Sequence, residues 1–189
     1  MPPSRVIVLH GTMGNPSGNW FPWLKNSLLP LSVNVHVPLF PTPEDQSLEN
    51  WKEVFRKEVG ELLQSDILIG HSLGAAFALS LLEESTSKIE AFISVCGFFG
   101  KLAIEPYDTL NHSFISKPFN WHSIHSSFKH AVVVAGDNDK YVSKEMTREL
   151  SKKLNAPLHL ITGGGHLNAE SGYVEFPELL SLTREFLSV

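Results

Sequence analysis

Cysteine is almost absent from this chain. Cys96 stands alone, so no intrachain disulfide can form and a secreted disulfide scaffold is excluded. A lone thiol also leaves little room for a thiolate zinc site, and no metal is expected. Basic charge is scarce: 15 Lys and Arg stand against 20 Asp and Glu, a net charge of -5. No basic patch stands out, which argues against nucleic acid or an anionic membrane surface as a partner. No apolar run approaches the roughly 20 residues of a membrane-spanning helix. The opening "MPPSRVIVLHG" enters an apolar run with no leader ahead of it, and a cytoplasmic address is expected. Internal repeats, low-complexity tracts and linkers are missing as well.

What is present suits a globular protein: 42% hydrophobic and 19% charged residues over 189 positions, enough for one sizeable core. A single domain is expected over 1–189. Six short runs rich in β-branched residues read as strands: "RVIVLH" (5–10), "VNVHV" (33–37), "DILIG" (66–70), "IEAFISV" (89–95), "HAVVVAG" (130–136) and "PLHLITG" (157–163). Several lack polar alternation, which implies burial on both faces, as in a parallel sheet covered by helices. Helical spacing fills the intervals. In "SLENWKEVFRKEVGELL" (47–63) apolar residues recur at three- and four-residue steps behind Ser47 as N-cap. Segments 20–29, 73–85, 143–154 and 176–187 read the same way. Alternating strand and helix predicts an α/β fold with a doubly wound parallel sheet of about six strands. Ligand sites in such sheets lie outside the carboxyl ends of the strands.

One connection breaks the rhythm. Residues 96–129 join the fourth and fifth strands and are crowded with aromatics. Long connections in compact domains are often functional. Phe98, Phe99, Tyr107, Phe114, Phe119 and Trp121 are therefore candidates for an apolar acyl pocket, with Trp20 closing its mouth. Packing in the core is the competing reading for each.

The most informative stretch is "DILIGHSLGAA" (66–76). A G-x-S-x-G pattern between strand and helix is a nucleophile elbow, a sharp turn that exposes a strained serine above the sheet. Ser72 is that serine. Its hydroxyl is a weak nucleophile, so a base must stand beside it and a carboxylate behind the base. The chain supplies both in the order serine, acid, histidine: "GDND" offers Asp137 and Asp139 after the fifth strand, and "GGGH" offers His166 after the sixth. All three segments leave the carboxyl ends of strands. Asp139 is preferred as the acid, with Asp137 a rival that could instead brace the loop. Asp66 is ruled out, because six extended residues place it roughly 20 Å away at the other end of its strand. His71 should point away from the serine. An oxyanion hole needs two backbone donors: the Leu73 amide, which opens a helix, and an amide of "LHGTMG" (9–14), Thr12 first and Met13 second. That loop matches no nucleotide-binding pattern.

Together these motifs resemble the α/β-hydrolase superfamily, and more closely its small retinoblastoma-binding-protein-9-like serine hydrolases. "GNWFPWLKNSL" (18–28) and "KPFNW" (117–121) carry the closer resemblance, which spans nearly the whole chain. It implies strand order 2-1-3-4-5-6, no large cap domain, no cofactor, and hydrolysis of small ester or amide substrates. It also implies an acid three residues after the strand-terminal glycine, Gly136, which selects Asp139. The L-x-C-x-E motif associated with retinoblastoma binding is absent, since Cys96 lies in "SVCGF"; no protein partner follows from the resemblance. The rival expectation is a non-catalytic interaction protein that keeps a hydrolase shell.

Overall fold

The computed structural model describes residues 5–187. Its centre is a parallel sheet of β1 (Arg5–Leu9), β2 (Asn34–His36), β3 (Asp66–His71), β4 (Ile89–Val95), β5 (Phe128–Gly136) and β6 (Leu158–Ile161), in the order β2-β1-β3-β4-β5-β6. Every neighbouring pair is parallel. Burial follows position in the sheet. All six residues of β3 are buried, whereas the edge strand β6 is half-buried or exposed throughout. The near-continuous apolar runs of the central strands thus reflect cover on both faces.

Alternation along the strands builds two cores. Ile7, Leu9 and Leu68 face one side, packed by α2 (Leu48–Glu58), α3 (Leu73–Glu84) and α7 (Lys144–Leu154). Val6, Val8, Ile67 and Ile69 face the other, packed by α1 (Phe21–Leu28) and α8 (Pro177–Glu185). Among the described residues no helix is long and apolar enough to cross a membrane.

The helix expected over 47–63 ends early, at Glu58. Its start is as read, with the Ser47 side chain accepting from the Asn50 amide. Gly60 takes φ +82, and the amides of Val59 and Gly60 both close on the Phe55 carbonyl. A left-handed glycine there terminates the helix. Leu62 is nevertheless buried, because the chain leaving the helix still crosses the core face.

The aromatic connection holds three short helices, α4 (Tyr107–Leu110), α5 (His112–Ile115) and α6 (Trp121–Ser126). Tyr107 and Asn111, from α4 and its end, reach the carboxyl edge of the sheet, where they line the cleft described below. α6 turns away and packs on α3 and α7. This division decides which aromatics can meet a ligand.

Candidate active site

β3 ends at His71 and α3 begins at Leu73, so Ser72 is the whole turn. Its backbone sits at φ 56, ψ -122, a region that L-residues with side chains rarely occupy. Close packing on both flanks holds it there. A Cβ on Gly74 would lie 2.1 Å from the Leu9 carbonyl oxygen, and one on Gly70 would lie 2.5 Å from the Ala75 Cα. Only glycine lets helix and strands approach so closely. α3 has no side-chain cap; the Ala75 amide bonds the Ser72 carbonyl, and the Leu73 and Gly74 amides ahead of it remain available to a ligand.

The histidine loop is held by three consecutive side chains after β5. Asp137 Oδ1 accepts from the Gly163 amide at 2.8 Å, and Asn138 Oδ1 from the Gly165 amide at 2.7 Å. Asp139 Oδ2 accepts from His166 Nδ1 at 2.8 Å. Asp139 thus stands behind the imidazole, while Asp137 braces the loop. Burial alone would raise the Asp139 carboxyl. The hydrogen bond and charge of His166, with the Tyr141 and Val142 amides on Oδ1, outweigh it and hold the group below its usual value. With Nδ1–H committed to a carboxylate, Nε2 is the basic nitrogen of His166.

His71 lies beneath that loop. Its ring turns toward Trp20 and Phe21, and Nε2–H donates to the His166 carbonyl at 3.0 Å. Burial, followed by the charge of His166, lowers its pKa to about 3. It is a neutral brace at ordinary pH.

A second buried histidine organises the opposite wall. The Phe40 amide donates to His10 Nε2 at 3.0 Å, which leaves the proton on Nδ1 to be donated to the Gly11 carbonyl at 2.8 Å. The Gly14 amide donates to that same oxygen. In a trans peptide the carbonyl and the following N–H point in opposite directions, so pinning the Gly11 oxygen aims the Thr12 amide the other way. The Met13 amide is occupied by Thr42 Oγ1 at 2.7 Å. Of the two candidate donors in this loop, Thr12 is the one left free among the described residues. Gly11 abuts the serine, since a Cβ on it would lie 2.8 Å from Ser72 Cβ.

Ser72, His166 and Thr12 line one cleft of about 210 Å³. Its remaining walls include Met13, Leu102, Tyr107 and Tyr141, together with four asparagines, Asn15, Asn19, Asn111 and Asn168. Tyr141 packs edge-on to the His166 ring, with centroids 4.9 Å apart. Burial, then Tyr141, holds the Tyr107 hydroxyl above its usual pKa.

The aromatic pocket expected from sequence is not here. Of the six aromatics of the connection, only Tyr107 reaches the cleft. Phe98 and Phe114 are fully buried in the core. Phe99, Phe119 and Trp121 line a separate surface groove beside Lys153: Trp121 opens α6, which packs back on α3, and Phe99 and Phe119 pack against its indole. Trp20 does not close the mouth: it is fully buried, its Nε1–H donating to the Leu167 carbonyl at 3.0 Å. Its role is to support the histidine loop. The asparagines that stand in place of these aromatics are scattered along the chain and carry no motif; Tyr141, two residues beyond Asp139, is the one lining residue that a motif points to.

Ligand atoms of Cys96, Asp139 and His166 lie within 4.8 Å of one another. Burial pushes the Cys96 thiol well up, which opposes the thiolate that a metal would require, and Asp139 and His166 already bind each other.

A family model described as serine hydrolase matches residues 6–185. YdeN of Bacillus subtilis (strain 168) is 27% identical over 186 residues, covering 97% of this chain and 96% of YdeN. Serine hydrolase RBBP9 of Rattus norvegicus is 23% identical over 189 residues, 98% of this chain and 97% of the relative. In three dimensions, the crystal structure of the B. subtilis ydeN gene product superposes with a TM-score of 0.89 over 97% of this chain and 98% of that one. Est1E from Butyrivibrio proteoclasticus shares the fold at 16% identity and a TM-score of 0.67, covering 96% and 84% of the two chains. The architecture is the α/β-hydrolase fold, without a large cap domain.

Proposed function

Because the chain belongs to the serine hydrolase family, we propose that it cleaves small ester or amide substrates through an acyl-enzyme on Ser72. The observation that carries this reading is the hydrogen bond from His166 Nδ1 to a buried, ionised Asp139, on a loop whose histidine shares the Ser72 cleft. His166 Nε2 takes the serine proton as the hydroxyl attacks the substrate carbonyl. Asp139 holds the tautomer and stabilises the imidazolium. The Thr12 and Leu73 amides receive the negative oxygen. His166 then protonates the leaving group, and water, activated by the same histidine, releases the acyl group. No cofactor enters the cycle. A cytoplasmic address belongs to the same reading: with Cys96 the one cysteine, the fold needs no oxidising compartment.

Intact-protein mass spectrometry after fluorophosphonate treatment tests it. The wild-type protein should gain one adduct, while Ser72→Ala and His166→Ala should gain none. A folded wild type that stays unlabelled would point instead to the non-catalytic interaction protein.

A further inference from the structure

The four asparagines of the cleft share a chemical polarity. Asn15 Oδ1 accepts from the Ser17 amide, Asn19 Oδ1 from the Ala169 amide, and Asn168 Oδ1 from the Ser171 amide. Asn111 Oδ1 accepts from the Thr12 hydroxyl at 2.5 Å and from Gln46 Nε2 at 2.9 Å. Gln46 is itself oriented, because its Nε2 also donates to the Leu110 carbonyl. In each case the bonded partner is a donor, so the amide orientation is set by chemistry. Every carboxamide oxygen is engaged within the fold, and among the described residues none of the four NH2 groups has a protein acceptor. Asn111 is 2% exposed and lines the cleft, so the cleft is the opening its Nδ2 has. Tyr107 and Tyr141 add hydroxyls. No Lys, Arg, Asp or Glu is among the cleft's described lining residues.

We infer that this cleft selects a short, neutral substrate arm bearing oxygen acceptors, such as a keto, ester or ether group, with Asn111 and Asn168 as its specificity-determining donors. The inference rests on the acyl-enzyme reading above and adds the substrate class. In the free protein the NH2 groups are hydrated. A bound alkyl arm would strip that water and leave donors unpaired, whereas a carbonyl or ether oxygen replaces it. A carboxylate would be desolvated with no cation to meet it, which favours the neutral group.

Two nearly isosteric esters with one leaving group separate the effect from size: 4-nitrophenyl 4-oxopentanoate and 4-nitrophenyl 4-methylpentanoate. Each enzymatic rate is divided by the rate of hydrolysis by hydroxide. The wild-type protein should prefer the keto ester about tenfold in kcat/KM. Asn111→Asp and Asn168→Asp keep the structural acceptor oxygen but replace the donor with a second acceptor, and each should reduce that preference severalfold. The ratio between the two esters cancels general losses of activity. Equal rates, or a preference for the alkyl ester, would overturn the inference while leaving the serine hydrolase reading in place; so would fluorophosphonate labelling without turnover of the keto ester. Absence of both labelling and turnover would overturn the underlying reading, and this inference with it.

Discussion

At the scale of single residues, two aspartates separated by one asparagine have different work. Asp139 has a side chain 2% exposed and bonds the imidazole, while Asp137 holds the Gly163 amide. Asp139→Asn should lower kcat/KM by about 10³ to 10⁴, because an amide in that place favours the wrong histidine tautomer. Asp137→Asn keeps an oxygen for the Gly163 amide, so its effect should stay within about fivefold. Ester hydrolysis by the two variants checks the assignment. Spacing placed both carboxylates in one loop, but their separate hydrogen bonds exist only once β5 and β6 are side by side. The same limit applies to Trp20: an indole near the site was legible, and its burial under Leu167 was not.

At the scale of elements, the site depends on how closely α3 meets β1. The contact is tightest at Gly74, against the Leu9 carbonyl. Gly74→Ala should push the helix outward and cost about 2 kcal/mol, or roughly 6 °C in Tm. Activity should fall further than stability, since the displaced turn carries Ser72. Gly100→Ala is the matched control: its added Cβ would meet only Met146 Cε, at 3.7 Å, and Tm and activity should be unchanged. Calorimetry with an ester assay reads both. The elbow was visible in sequence because strand, turn and helix are contiguous there. The course of α6 was not, because residues 117–126 could have closed over the sheet edge as readily as pack on α3.

At the scale of the molecule, buried histidines tie stability to pH. Burial holds His71 down to about 3 against an ordinary value of 6.5, and His10 is lowered for the same reason. Between those values the unfolded chain takes up protons that the folded protein refuses. The contribution of His71 is therefore complete above pH 6.5 and is lost as pH falls toward 3, at up to about 1.4 kcal/mol per pH unit. Asp139, lowered from 3.8, adds its loss only once pH falls below about that ordinary value. Tm should be flat from pH 8 to 7 and decline between 6.5 and 4. His71→Leu should be less stable at pH 8, having lost its bond to the His166 carbonyl, yet decline less steeply on acidification. An unaltered slope in the variant would refute the assignment.

The sequence by itself determined the strands, their sidedness and the parallel sheet, and it placed Ser72, the Asp137–Asp139 pair and His166 at one sheet edge, because those depend on local periodicity and on loops that all leave the same ends of the strands. Tertiary structure decided the cleft's character. Whether an aromatic faces a ligand or the core depends on partners far away in the chain, and so does the amide orientation of two of the four asparagines: Ala169 for Asn19, Thr12 and Gln46 for Asn111. Such pairings cross the sheet edge between loops, where no periodicity in the chain records them.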